Sequence, residues 1–252
     1  MAPRFDEYST RYEHIAMSRD DNGVLEIRFH TDGDELVWGD SPHSELGFAF
    51  TDIAGDADNR VVIMTGTGSR FCGKLDQSWV GAMTPEKWDK IYSHGRRLLQ
   101  RLLDIEVPII AAINGPASVH AEIPVLSDIV LCTESTYFSD APHFRFGTVP
   151  GDGVHLVWPM LLGPNRARYF LLTAHRISAE EAKQLGFVAE VLPDDRLMDR
   201  ARELAAHLAK QPTTTLRYAR DAVVHQMRKT MLDGLGYGLA LEGLGGYASW
   251  PS

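Results

Sequence analysis

The stretch Ala141–Pro159, APHFRFGTVPGDGVHLVWP, sets His143 and Asp152 on either side of the turn Gly147-Thr148-Val149-Pro150-Gly151. Imidazole is the side chain best suited to moving a proton near neutral pH. A carboxylate held against one of its ring nitrogens fixes the tautomer and stabilises the imidazolium that forms when the ring acts as a base. A separation of nine positions is too long for a one-turn helical contact, so the pair meets only if Pro150, Gly151 and Gly153 fold the loop. Spacing alone favours a plainer reading, an exposed histidine with an aspartate capping a helix that starts near Gly153. Residues elsewhere in the chain turn the balance toward a His–Asp dyad that activates water.

The elements that must position this loop follow from periodicity and punctuation. The first dozen residues read as an arm. Val24–Phe29 alternates apolar and polar after the Asp20-Asp21-Asn22-Gly23 turn, which predicts a half-buried strand. Ser44–Ile53 carries apolar residues at helical spacing, and Pro85–Leu103 fits a long helix with Thr84 as its cap. Val61–Thr65, Val107–Ile113 and Ile129–Cys132 are continuous apolar runs, as fully buried strands are. A short segment at Glu122–Leu126 precedes the last of these. Helices are predicted at Arg166–Leu172 and at Ser178–Leu185, where Ser178 and Glu181 form a capping box, and a strand at Val188–Leu192. From Arg196 to Leu244 the pattern is nearly all helical, broken at Pro212 and loosened by Gly234, Gly236 and Gly238. Strands alternating with helices, then helices alone, predict an α/β core over residues 1–195 with a helical region over 196–252.

Composition narrows the partners. A chain of 252 residues with 44% apolar and 23% charged residues suits a soluble globular protein. The formal net charge of −9 argues against nucleic acid and against anionic membrane surfaces, both of which need clustered Lys and Arg. Cys72 and Cys132 are the only cysteines and form no CxxC pair, so two reduced thiols are expected and a cysteine-built zinc site is not. The polar start MAPRFDEYSTRYEH has no apolar signal region, and no run is long enough to span a membrane; the expectation is a cytoplasmic protein. No His-x-x-x-His helical pair and no calcium-loop spacing is present, so no metal is expected. Gly66-Thr67-Gly68 follows a strand but lacks the rest of a dinucleotide fingerprint and reads as a turn.

Several segments, all in one order, resemble the crotonase (enoyl-CoA hydratase/isomerase) superfamily. They are Val61–Gly66 followed by Phe71-Cys72-Gly73-Lys74-Leu75-Asp76, Pro108–Pro116, Ser127–Val130, Gly147–Gly151, and Ile177–Ala182 with Leu185-Gly186. The resemblance implies a spiral of ββα units with a C-terminal helical trimerisation region, hence a homotrimer or a dimer of trimers. Most of that superfamily holds a coenzyme A thioester oxygen between two backbone N–H groups. This sequence departs from the pattern at both: Lys74 stands where the family has glycine, and Ser118-Val119-His120-Ala121 replaces a Gly-Gly-Gly run, one residue shorter. Glycine lets a backbone approach a ligand closely, and Val and His there do not.

The departures bring new chemistry. His143 falls where a hydratase has a catalytic glutamate, Asp152 replaces a small residue, and Glu122 aligns with the other hydratase glutamate. Leu36-Val37-Trp38, His43–Leu46, His120–Val125, Pro142-His143-Phe144 and Val149–Gly153 are similar to one group in the superfamily, 6-oxocamphor hydrolase and related β-diketone hydrolases. That group cleaves a carbon–carbon bond between two carbonyls without coenzyme A or any other cofactor. The resemblance implies His143 oriented by Asp152 as the base, His120 as donor to the enolate oxygen, and His43 with Glu242 as a second imidazole–carboxylate pair. It implies Trp38 as an apolar wall and Glu122 as a substrate-binding residue. His14, His30, His94, His155, His175, His207 and His225 read as structural or surface residues. Two alternatives stay open: a coenzyme A thioester hydratase or hydrolase using His143 or Glu122, and an inactive homologue acting as a scaffold.

Overall fold

Residues 61–66 are buried at every position, and this run is the middle of the molecule's main sheet. The computed structural model describes residues 2–79 and 83–249. In chain order the elements are α1 (Phe5–Tyr8), β1 (Ile15–Arg19), β2 (Val24–Phe29), β3 (Val37–Trp38), α2 (Asp40–Gly55), β4 (Val61–Gly66) and β5 (Lys74–Leu75). Then come α3 (Pro85–Asp104), β6 (Ile109–Ile113), α4 (Glu122–Val125), β7 (Ile129–Thr133), β8 (Tyr137–Phe138) and a 3-10 turn at Phe144–Phe146. The chain continues with α5 (Val154–Leu162), α6 (Pro164–Thr173), β9 (Ile177–Ser178), α7 (Ala179–Leu185), β10 (Glu190–Leu192), α8 (Asp194–Leu208) and α9 (Thr213–Ser249).

The main sheet runs β1-β2-β4-β6-β7-β10, antiparallel only at the β1–β2 pair. Parallel strands are buried on both faces, which is why β4 and β6 have no polar alternation. One face of the sheet packs Val61, Ile63, Ile110 and Leu131 against Leu197, Ala201 and Ala205 of α8. The other face joins the large core under α2, α3 and α5. Asn114, at the end of β6, accepts from the Gly66 N–H at 3.0 Å and donates to the Gly68 carbonyl at 2.9 Å. It ties the ends of two strands together beneath the loops that carry the site.

The predicted strands and helices are present, most of them within a few residues of their expected bounds. Thr84 caps α3 by accepting from the Lys87 N–H at 3.2 Å, and Ser178 caps α7 by accepting from the Glu181 N–H at 3.2 Å. The expected N-terminal arm is instead docked. Tyr8 is fully buried, donates its hydroxyl to Asp56 at 2.9 Å and accepts from Asn59 at 3.1 Å. Strand β1 was not legible because only its first residue is buried. Helix α9 runs unbroken through Gly234, Gly236 and Gly238, so these glycines do not loosen it. They thin it where neighbours press close: a Cβ on Gly238 would lie 2.4 Å from the Gly151 carbonyl oxygen, and one on Gly234 would lie 2.7 Å from Leu156.

Candidate active site

Five segments converge on one cavity of about 710 Å³, counting the space at its mouth. Trp38 comes from β3, His43 from the first turn of α2, and His120 from the loop between β6 and α4. His143 and Asp152 flank the 3-10 turn ahead of α5, and Glu242 comes from α9. Leu75, Trp79, Ile91, Val119 and Leu239 complete an apolar lining.

The His143–Asp152 pair meets, as the loop glycines imply, but not in the expected way. The Nε2 atom of His143 lies 3.4 Å from Asp152 Oδ2 and 3.6 Å from Glu242 Oε1. Its other nitrogen, Nδ1, contacts Asp140 Oδ1 at 2.5 Å. Asp152 does not cap α5. The N-cap is Gly153, at a φ of 112°, where a Cβ would lie 2.3 Å from Leu99. Asp152 instead reaches a second imidazole, with Oδ2 3.3 Å from His120 Nδ1.

His120 has an arrangement parallel to that of His143. Its Nδ1 contacts Glu122 Oε1 at 2.6 Å. The expectation of Glu122 as a substrate-binding residue is therefore corrected: it is fully buried behind His120 and is not among the residues that line the cavity. In the loop after β6, His120 takes a φ of 50° and its ring lies against Trp38, with ring centres 4.1 Å apart. A left-handed conformation costs a non-glycine residue roughly 1–2 kcal/mol, and such strain clusters at functional sites.

His43 and Glu242 both line the cavity, but the expected pairing between them is replaced. Glu242 pairs with His143, whereas the ring of His43 sits among Trp38, Trp79, His94 and His120, with ring centres 5.5–6.2 Å away. Burial first, then the neighbouring His120 and His94, pushes the His43 pKa down to about 3, so this ring is neutral. Lys74 turns away from the cavity to Glu35 at 2.8 Å. That contact, with Ser69, lowers the Glu35 carboxyl to about 2.

Charge is concentrated where the apolar lining ends. Burial alone would lower the His143 pKa, but attraction to Asp152 and Asp140 and hydrogen bonds to both lift it well above the ordinary histidine value. Burial opposes protonation of His120 too, and Glu122 and Asp152 reverse it. Burial would raise the Asp152 pKa, but His143 and His120 hold it below the ordinary carboxylate range. Glu242 differs: burial dominates and pushes it up to about 7, against the opposing pull of His143.

Two sets of atoms have ligand-like spacing, His120/Glu122/Asp152 and His143/Asp152/Glu242, each within 4.8 Å. In both, the imidazole nitrogen already has a carboxylate oxygen as its partner. The backbone N–H groups of Ser118 and Val119, in the loop where the resemblance places half of a thioester oxygen hole, both donate to the Cys72 carbonyl, at 2.8 and 3.1 Å. They are not aimed at a ligand. Sequence reasoning did not find Asp140. The spacing Asp140-Ala141-Pro142-His143 was a usable signal, since an acidic residue three positions before a histidine is within reach across a turn.

A fold of ββα elements with this loop order and cavity defines a crotonase. The Enoyl-CoA hydratase/isomerase family model matches residues 19–238, and the chain belongs to that family. Among solved structures, a β-diketone hydrolase from the cyanobacterium Anabaena sp. PCC 7120, bound to (S)-3-oxocyclohexyl acetic acid, is 49% identical with a TM-score of 0.93, covering 95% of this chain and 96% of that one. An enoyl-CoA hydratase/isomerase from Mycobacterium paratuberculosis is 25% identical with a TM-score of 0.86, covering 92% and 93%. Among curated proteins, carnitinyl-CoA dehydratase of Salmonella enteritidis PT4 is 36% identical over 167 residues, 65% of this chain. The match spans 62% of that relative's length, less than two thirds of it. Among the described residues no helix is long and apolar enough to cross a membrane.

Proposed function

We propose that the protein hydrolyses the carbon–carbon bond between the two carbonyls of compact cyclic β-diketones, a retro-Claisen cleavage that yields a keto acid. The observation that carries this reading is a pair of imidazoles, each backed by a carboxylate on Nδ1, lining one apolar cavity. The 49%-identical hydrolase described above supports it. So does the use of the Ser118 and Val119 N–H groups inside the protein, where both donate to the Cys72 carbonyl and neither is left for a thioester oxygen.

Water adds to one carbonyl and loses a proton to Nε2 of His143. That nitrogen must first be empty. The raised pKa of His143 means that the resting ring carries this proton, and Glu242 Oε1, 3.6 Å away in a carboxyl pushed up to about 7, is the group matched to take it before water adds. The tetrahedral oxyanion then collapses, and the electron pair of the breaking bond moves onto the second ketone as an enolate. His120, held protonated by Glu122 and Asp152, donates to that enolate oxygen. Donors placed before charge develops are usually the largest catalytic contribution. The enolate carbon finally takes the proton that left the water, delivered from His143 on one face, so a symmetric diketone gives a single enantiomer.

The test is incubation with a panel of mono- and bicyclic 1,3-diketones, following loss of the diketone absorbance and chiral analysis of the acid. Turnover is expected, with no saturable calorimetric binding of coenzyme A. Micromolar coenzyme A binding with thioester turnover would establish the thioester reading. No turnover of any substrate, with His143→Ala indistinguishable from wild type, would establish the scaffold.

The outer face of α9 presents Tyr237, Leu241 and Leu244 at helical spacing, 68%, 37% and 69% exposed. We propose that a second copy of the chain covers this stripe in a cytoplasmic homotrimer or a dimer of trimers. Light scattering is expected to give three or six times the chain mass, and Leu244→Glu a smaller particle.

A further inference from the structure

The structure assigns a positioning residue that the reaction chemistry does not itself name: we propose that Asp140, rather than Asp152, orients His143, leaving Asp152 to couple the two imidazoles. The inference rests on the diketone reading for its kinetic consequence but not for its geometry.

Asp140 lies between β8 and the 3-10 turn, three positions ahead of His143, and both side chains are almost fully buried. The 2.5 Å contact is to Nδ1, the nitrogen that does not meet the other two carboxylates. An imidazole whose Nδ1–H is held by a carboxylate presents Nε2 as the nitrogen that takes and gives protons. Here Nε2 is the atom beside Asp152 and Glu242, both of which line the cavity with His143; Asp140 does not line it. An orienter must sit on the far side of the ring from the chemistry, and Asp140 is the carboxylate that does.

Asp152 is misplaced for that task. Its Oδ2 lies 3.4 Å from the nitrogen that must exchange protons and 3.3 Å from Nδ1 of His120. One carboxylate oxygen between two imidazoles makes the protonation of each ring depend on the other. Glu122 performs for His120 what Asp140 performs for His143, with a contact of 2.6 Å to Nδ1. The site is thus built from two anchored rings and one shared carboxylate.

The experiment compares Asp140→Asn and Asp140→Ala in the full chain. Asparagine can donate its amide N–H to Nδ1 and force the wrong tautomer, whereas alanine only removes the anchor. With the diketone as substrate, Asp140→Asn is expected to lower kcat by about a hundredfold to ten-thousandfold with KM little changed, and Asp140→Ala by less. A purely structural role gives no such order. Nitrogen-15 spectra of histidine-labelled protein, without substrate, provide the second measurement. The His143 signals are expected to exchange the protonated and unprotonated nitrogens in Asp140→Asn. Their titration midpoint is expected to move down, because one of the negative charges facing the ring is gone while Asp152 and Glu242 remain and His120 and His155 still oppose protonation. Thermal unfolding establishes that each variant is folded. Unchanged His143 signals in folded Asp140→Asn overturn the assignment, and so does a kcat within threefold of wild type. If the wild-type protein turns over no diketone, the spectra still decide the role of Asp140, so the two proposals fail separately.

Discussion

Replacing His143 with alanine is expected to lower kcat for diketone hydrolysis by about two or more orders of magnitude. Asp152→Asn is expected to cause a loss of similar size. The double variant should lose little more than the worse single one, because Asp152 acts through the His143 nitrogen that it faces and the two work as a unit. Steady-state kinetics on the four proteins give the coupling directly. Additive losses would mean that His143 and Asp152 serve separate steps. KM is expected to change less than kcat in both singles, since the lining that would hold an uncharged ring system is mainly apolar and comes from other residues, among them Trp38, Leu75, Val119 and Leu239. Removing the imidazole leaves Asp140 buried without its partner, a loss of roughly 3–5 kcal/mol if the carboxylate stays charged. A melting curve must therefore accompany the kinetics.

Gly151→Ala is the second large effect, and it acts through backbone rather than chemistry. A Cβ at this position would lie 2.2 Å from the Gly238 carbonyl oxygen and 2.8 Å from Glu242 Cβ. Neither can yield cheaply, because one is helix backbone and the other is the base of a site side chain. The loop that carries Asp152 and the helix that carries Glu242 must separate. Overpacking of this kind costs about 1–3 kcal/mol or more, and the separation withdraws Glu242 from His143. The expected result is a lowered melting temperature together with a fall in kcat of about tenfold or more. Gly33→Ala is the comparison: with φ at 80° and nothing within 4 Å it carries only backbone strain, roughly 1–2 kcal/mol, and kcat should be unchanged. Equal effects of the two substitutions on kcat would show that the Gly151–Gly238 crossing does not position the site.

Much of this architecture could be read from the chain. Val61–Thr65, the Asn114-Gly115-Pro116 turn and the Pro150-Gly151 loop have local causes, namely uniform burial, a side chain that bonds two strand ends, and residues that permit a tight turn. His120, His143, Asp152, Trp38, His43 and Glu242 all reach the cavity. The pairing among them was not legible, because it is set by distances across the fold. Glu242 is 99 positions from His143 and 199 from His43, and nothing local says which imidazole it meets. Asp140 and Glu122 face inward behind the rings, and buried carboxylates at such positions look in sequence like ordinary loop and helix residues. The arm was misread for a related reason. A short polar segment looks unattached until its one aromatic, Tyr8, finds Asp56 and Asn59 on another element.

The carboxylate from α9 reaches the site on a helix that packs along α3 and α5 and takes no part in the sheet. A slide of that helix along its own axis would carry the Glu242 oxygen away from Nε2 of His143 while both anchored rings keep their own partners. Anything that grips the outer side of α9 could therefore reach the base without entering the cavity.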